Sequence, residues 1–242
     1  MGVTTHSNNL VQKHKGNAKT MLELGSQNTY FAPVYGGNAK EYYSKQGFEH
    51  TSIDTNGEYG SLVKDLSQDL ELKAEFDLVT DFGTSEHVPN FYKCWVNKHN
   101  ACKVGGLIIS ENPKVGNWPG HGYHYVTEAF YKALAEAAGY EVLDIGEHAA
   151  MGNVTDGWNV YCVLRKTKEN FIPYSVFKGL GYESSIELAP DGTEFIPFEG
   201  SEAEAKVKAY QARMERAPSD DEQVEPVKPK GTRGRRKGSK NK

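Results

Sequence analysis

Four apolar runs in the first half of the chain end in carboxylates. "TMLELG" closes on Glu23 and Gly25 with Ser26 next, "HTSID" on Asp54, "SLVKDL" on Asp65 and Leu66, and "FDLVTDFGTSEHV" on Asp81 and Phe82, followed by Glu86 and His87. A carboxylate at the end of a strand accepts charge-assisted hydrogen bonds from ligand hydroxyls or amines. Asp54 is placed to take both hydroxyls of a ribose. Asp65 beside Leu66 suits an adenine: the carboxylate accepts from the exocyclic amine and the apolar side chain packs on the ring. Further on, "NWPGHGYHYV" gathers Trp118, His121 and His124 with glycines and aromatics, a composition that suits a substrate loop. His121, with Glu86 and His87, is the candidate set for moving a proton. His121 and His124 also have a metal-compatible spacing, but no third ligand of comparable spacing accompanies them, so no metal is expected.

Each of these residues has a plainer reading. Gly25 alone is a strand-to-helix turn. Asp54 in "DTNG" is a turn residue or cap, Asp65 a cap, and Glu86 the start of a helix. His121 and His124 could be ordinary loop histidines. It is the order and spacing of the polar strand ends that four separate caps do not explain.

The elements that must position these residues alternate. After the four runs come "GGLIISE", "YEVLDIGEH" and "WNVYCVLRK"; helical patterns lie between, at "NAKEYYSKQG", "NFYKCWVNKHNACKVGG" and "VTEAFYKALAEAAGY". In the last, Phe130, Leu134 and Ala138 recur at helical spacing and Gly139 stops the helix. Strands alternating with helices predict a mostly parallel sheet covered on both faces. In such a sheet a ligand lies beyond the carboxyl ends of the strands.

From about Lys19 to Lys166 this order resembles the class I S-adenosylmethionine-dependent methyltransferases. "LELGS", "SIDTNG", "VKDLS" and "FDLVTDFGTSEHV" stand where that family has its first four motifs, and "GGLIISENP", "YEVLDI" and "WNVYCVL" match its closing strands. The resemblance implies an α/β, Rossmann-like methyltransferase fold with a mostly parallel seven-stranded sheet and an antiparallel edge hairpin. It implies S-adenosyl-L-methionine as cofactor, held by Glu23, Gly25, Ser26, Asp54, Asp65, Leu66, Asp81 and Phe82. The single glycine in "LELGSQN" fits a donor without phosphates better than a dinucleotide, whose pyrophosphate needs close backbone approach. The span from Asp54 to Asp65 leaves little room for the usual helix. Base methylation of DNA is not expected: "DFGTSEH" stands where a proline-aromatic motif would, and none of the three cysteines follows a proline. The acceptor is then a small molecule, a sugar or a protein group. The alternative is a non-catalytic protein that keeps the fold and is tethered to DNA by its tail.

Composition sets the outer limits. The chain of 242 residues is 38% hydrophobic and 25% charged, enough for one domain with appendages. The reading divides it into a polar segment (1–18), the α/β domain (19–166), an irregular extension packed on it (167–200), a helix (201–217) and a disordered linker with a basic tail (218–242). Residues 228–242 hold eight Lys and Arg and no acid, which leaves 20 basic and 32 acidic residues in the rest, a net charge of −12. "KGTRGRRKGSKNK" resembles an AT-hook in which Arg236 replaces the proline; Arg233, Arg235, Arg236 and Lys237 are its candidate contacts to DNA or RNA. Cys94, Cys102 and Cys162 form no CxxC pair, and no stretch has the length of a signal peptide or a membrane span, so a cytoplasmic protein with reduced thiols is expected.

Overall fold

The computed structural model describes residues 2–150, 157–188, 195–197 and 202–215. The basic tail, with Arg233, Arg235, Arg236 and Lys237, lies outside the described residues. In chain order the elements are β1 (Gly2–Thr4), α1 (Thr5–His14), β2 (Thr20–Leu24), β3 (Asn28–Tyr30), α2 (Ala39–Lys45), β4 (Glu49–Asp54), β5 (Leu62–Val63), β6 (Phe76–Phe82), α3 (Phe91–Ala101) and β7 (Cys102–Pro113). There follow β8 (His124–Tyr125), α4 (Glu128–Ala138), β9 (Glu141–Ala149), β10 (Trp158–Arg165), α5 (Tyr174–Phe177), β11 (Glu183–Ser184), β12 (Ile186–Leu188), β13 (Phe195–Pro197) and α6 (Glu202–Glu215).

Seven strands form the central sheet in the order β5-β4-β2-β6-β7-β10-β9. Neighbours are parallel from β5 to β7, and β10 runs antiparallel to both β7 and β9. Alternation along each strand splits the core in two. Leu22, Leu24, Val79 and Ile108 face α3, α4 and the aromatic extension, where Trp95, Phe130 and Phe177 are buried. Met21, Leu78 and Ile109 face α1 and α2, where Leu10, Val11 and Tyr43 are buried. Cys94, Cys102 and Cys162 are buried free thiols.

Helix boundaries follow their caps. Thr127 accepts from Phe130 N at the start of α4, and Gly139 ends it at φ +71°. Asn90 caps α3 through Lys93 N and Asn38 caps α2 through Glu41 N. The polar first segment folds more fully than its composition suggests. Thr4 and Ser7 form a reciprocal capping box, and Ser7, Leu10 and Val11 put one face of α1 onto the sheet. The third predicted run shrinks to the two residues of β5. Asp65 ends it by accepting from Ser67 N (2.8 Å) and Ser67 Oγ (2.7 Å), which turns the chain away. Between β4 and β5 there is a single 3-10 turn, Glu58–Gly60.

One buried ion pair joins the sheet to α3. Lys98 Nζ lies 2.8 Å from Asp81 Oδ2 and donates to Ser110 Oγ at 3.1 Å, with both side chains of the pair fully buried. Burial pushes the Asp81 carboxyl up; the Lys98 charge and the hydrogen bonds from Lys98 and Ser85 outweigh it and hold the carboxyl below its usual value. A depressed carboxyl contributes stability above its unfolded pKa, about 3.9, that is lost as pH falls through the folded value. Lys98→Met should therefore destabilise by about 3–5 kcal/mol at pH 7, by stranding the carboxylate. Urea titrations should show the gap from wild type narrowing as pH falls, beginning above about pH 4, because burial without Lys98 raises the stranded Asp81 and it takes up its proton early. A pH-independent gap would assign the loss to packing instead.

Candidate active site

A cleft of about 250 Å³ opens over the carboxyl ends of β2, β4 and β6. Gly25, Ser26, Asp54, Leu66 and His87 all line it, so five of the sequence-predicted residues meet there. Gly25 sits at φ +83°, which glycine adopts without strain, and its N–H donates to Ile53 O at 2.8 Å. Asp54 Oδ2 accepts from Ser26 N (2.8 Å) and Oδ1 from Asn56 N (3.2 Å). The carboxylate thus organises both loops at the cleft floor while itself lining the cleft. Ile53, Leu66 and Val88 supply apolar wall.

The missing second and third glycines have a structural counterpart. Gln27 folds back over Gly25, its Nε2 donating to Leu24 O (3.1 Å) and Thr84 Oγ1 (2.8 Å). A Cβ on Gly25 would lie 2.5 Å from both Gln27 Nε2 and Thr84 Oγ1. The chain then forms β3, which pairs with β1, and the crossover helix α2 begins only at Ala39.

The other predicted residues lie around the cleft. Glu23 is 1% exposed and packs beneath it, with His50 Nε2 3.7 Å from its carboxylate; burial raises its pKa. Asp65 does not line the cleft: its Oδ1 accepts from Ser67 and from Tyr210 of α6, and Tyr210 itself forms part of the wall. Asp81 stands behind the wall, where Oδ1 accepts from Thr84 N (3.2 Å) and Ser85 N (3.1 Å). His124 turns into the core, its ring 4.8 Å from that of Phe91 and its Nε2 donating to Val88 O at 2.9 Å; burial lowers its pKa to about 4 and keeps it neutral.

Glu86, His87 and His121 come together at the cleft's edge. Glu86 Oε1 is 3.7 Å from Nε2 of each histidine, and Glu86 Oε2 accepts from Asn112 Nδ2 at 3.0 Å. Gly122 allows this approach, since a Cβ there would fall 2.8 Å from Glu86 O. Tyr125 Oη accepts from His121 N (3.0 Å) and Gly122 N (3.1 Å), which fixes the loop. Burial lowers the pKa of His87.

Phe82 lines a second cavity, of about 210 Å³, together with Tyr30, Tyr35, Trp118, Glu111 and Asn159. Gly83 borders both cavities. Beneath the second lies a group absent from the sequence reading: Glu111, His6 and His148. Glu111 Oε1 is 2.9 Å from His148 Nε2 and accepts from Asn159 Nδ2 at 3.0 Å; its Oε2 accepts from Ser7 Oγ at 3.0 Å and lies 3.3 Å from His6 Nδ1. The signal for Glu111 and His148 was their place at the carboxyl ends of "GGLIISENP" and "YEVLDIGEH". His6 carried no such signal.

No protein-family model matches the chain, and no curated protein matches its sequence. Solved structures do share its architecture. Burkholderia thailandensis 1,6-didemethyltoxoflavin-N1-methyltransferase, crystallised with 1,6-didemethyltoxoflavin and S-adenosylhomocysteine, is 16% identical over 68% of this chain and 78% of that one, with a TM-score of 0.54. Geranyl diphosphate C-methyltransferase from Streptomyces coelicolor A3(2), crystallised with Mg2+, geranyl diphosphate and S-adenosylhomocysteine, is 10% identical over 67% of this chain and 80% of that one, with a TM-score of 0.50. The fold is the Rossmann-like fold of class I methyltransferases. Among the described residues no helix is long and apolar enough to cross a membrane.

The Glu111 group has a pH signature. Burial raises the Glu111 carboxyl, but hydrogen bonds from His148 and His6, with the charge on His148, leave it well below its usual range. Burial lowers His148, while the hydrogen bond and charge of Glu111 raise it further than burial lowers it. The carboxyl's contribution is present above about pH 4.3 and lost on acidification; that of His148 is present below about pH 6.5 and lost as pH rises through its raised value. In Glu111→Gln the His148 midpoint, followed by NMR, should fall from its wild-type value, because the hydrogen bond and charge of Glu111 are gone and burial is then opposed only by the bond to Ala149 O. The extra stability of wild type between about pH 4.3 and 6.5 should vanish with it. An unmoved midpoint would dismiss the pair.

Proposed function

We propose that this chain is an S-adenosylmethionine-dependent methyltransferase acting on a small, flat acceptor. The observation that carries the reading is the meeting of two cavities at Gly83: a polar-floored cleft at the strand ends and an aromatic chamber beside it. The cleft residues fit the donor. Asp54 would hold the ribose hydroxyls, Ile53, Leu66 and Val88 would enclose the adenine, and the loop at Gly25 and Ser26 would border the amino-acid end. When bound, the donor supplies an electrophilic methyl group on a sulfonium.

The rest belongs to the chain's own side chains. Methyl transfer is an in-line displacement, so holding the acceptor in place and excluding water supply most of the acceleration. Tyr30, Tyr35, Phe82 and Trp118 would clasp a ring by its faces. Asn159 is 3% exposed and its Oδ1 has no hydrogen-bond partner among the described residues, so it would accept from an acceptor N–H or O–H. His121, backed by Glu86, is the candidate to take up a proton where the acceptor must lose one.

Gln27 favours a second reading, a protein that keeps the fold without catalysis, because its side chain fills the loop beside Gly25. Calorimetry with S-adenosylmethionine and S-adenosylhomocysteine tests the first reading, and Asp54→Ala should weaken binding about ten- to 150-fold, the loss of a charge-assisted hydrogen bond. No heat from either compound at millimolar concentration would sink it. Binding without methyl-label transfer to any component of a cell extract would favour the second.

A further inference from the structure

The described residues contain two groups of histidines around a buried glutamate, and they differ in kind. In the Glu111 group both carboxylate oxygens are taken. Oε1 meets His148 at 2.9 Å and Asn159 at 3.0 Å, and Oε2 meets Ser7 at 3.0 Å and His6 at 3.3 Å. The His6 and His148 rings stack with centroids 3.7 Å apart and planes 19° apart. Each oxygen of that carboxylate thus accepts a hydrogen bond from a neutral side chain, Asn159 or Ser7, besides its histidine neighbour, although His148 Nε2 itself stands off the hydrogen-bond direction.

The Glu86 group is open. Glu86 is 0% exposed, yet its Oε1 has no hydrogen-bond partner among the described residues, and the same holds for the buried Nε2 of His121. Burying either atom without a partner is costly. Both histidine Nε2 atoms lie 3.7 Å from Glu86 Oε1, too far for a hydrogen bond, and the three donor atoms all lie within 4.8 Å of one another. Donors bound to one tetrahedral ion at 2.0–2.1 Å stand roughly 3.3–3.4 Å apart. Each glutamate–histidine spacing would therefore close by a few tenths of an ångström, and the two histidines, within 4.8 Å of each other, by up to roughly 1.5 Å, which the half-exposed His87 side chain can supply by rotation.

The surroundings hold these donors as ligands are held. Asn112 Nδ2 donates to Glu86 Oε2 at 3.0 Å, and Tyr131 Oη donates to Asn112 Oδ1 at 2.6 Å, which leaves Oε1 facing the histidines. Gly122 and Tyr125 press the His121 loop onto Glu86. His87 lines the cleft, while the His121 ring lies 5.3 Å from that of Trp118, a wall of the aromatic chamber. The group therefore stands between the two cavities.

We propose that Glu86, His87 and His121 bind one divalent first-row transition ion, of the zinc, cobalt or iron(II) kind, with its remaining positions open toward the cavities. Two imidazoles and one carboxylate select such ions over magnesium or calcium, which take oxygen ligands. An ion there would lower the pKa of an oxygen ligand, which favours an acceptor bearing a hydroxyl. The site does not depend on the methyltransferase reading; proton uptake at His121 Nε2 and an ion held by that nitrogen exclude each other, so an occupied site replaces His121 as the proton acceptor of that reading.

The test is direct metal binding to the full chain, stripped with a chelator and titrated with Zn2+ by calorimetry and with Co2+ by visible absorption. One ion per chain should bind with a dissociation constant of about 1 μM or tighter, and Mg2+ should not compete. Glu86→Gln and His121→Ala should weaken binding at least about tenfold, and Asn112→Ala about ten- to 100-fold through loss of the carboxylate's support. His87→Ala should do the same, and because the His87 side chain is 44% exposed it should leave the fold intact by circular dichroism. No binding of either ion overturns the proposal. So does binding that survives both Glu86→Gln and His87→Ala, or that is lost in His148→Ala instead. Because the titration contains no methyl donor, a protein that fails to bind S-adenosylmethionine can still pass it, and one that binds S-adenosylmethionine can still fail it.

Discussion

The carboxylate of Asp81, buried at the end of β6, fixes more of this structure than any other single group. Its Oδ1 takes the backbone N–H groups of Thr84 and Ser85, and its Oδ2 takes Ser85 Oγ (2.6 Å) and Lys98 Nζ (2.8 Å). Those four bonds set the turn that separates the two cavities. Lys98 carries the constraint onward to Ser110 on β7 and stands 3.4 Å from the ring centroid of Trp95. Ser85 Oγ in turn accepts from Asn112, which holds Glu86. A charge this deep is tolerable only when every lone pair is used. The requirement that Asp81 be satisfied thus reaches the sheet, α3 and the candidate site together.

That turn also explains how neighbouring residues serve different cavities. Gly83 sits at φ +77°, in the left-handed region. The reversal sends Phe82 into the aromatic chamber and Thr84 into the cleft. A side chain at position 83 would be strained in that conformation. On the opposite wall Gln27 does the work of the absent glycines in another way. It ties Leu24 O to Thr84 Oγ1, so the first strand's loop is braced by a side chain where many nucleotide sites rely on bare backbone.

The central sheet was legible because its signals are local. Apolar runs of strand length, caps such as Thr127 and the stop at Gly139 fix the elements, and alternation with helices fixes the parallel order. Gly25, Ser26 and Asp54 were legible for the same reason: they close strands, whereas Leu66 was read at the end of a run of which only Leu62–Val63 forms a strand. Asp81 lies at the end of a strand and Asp65 in the turn after one, but their carboxylates are used internally, by Ser67 and Tyr210 for Asp65 and by Lys98 for Asp81. Nothing local distinguishes a carboxylate that faces a cleft from one that faces a lysine seventeen residues on. The N-terminal segment was read as polar because only Val3, Leu10 and Val11 face the sheet, too few for its composition to show.

Glu111 and His148 mark the limit of reading strand ends in sequence. Because β10 runs antiparallel to both β7 and β9, those two strands are parallel to each other and end at the same edge of the sheet. The strand-end rule applied to all parallel strands would have drawn Glu111 and His148 beside Asp81. His6 would still have escaped it, because it reaches Glu111 from α1 across 105 residues. The same non-locality brings His121 to Glu86, through a loop that only Gly122 lets pass so closely. Residue types can be weighed one strand at a time, but which carboxylate is closed by histidines and which is left open toward a cavity is settled by packing between distant segments. A site of this kind therefore becomes visible as geometry before it is visible as a motif.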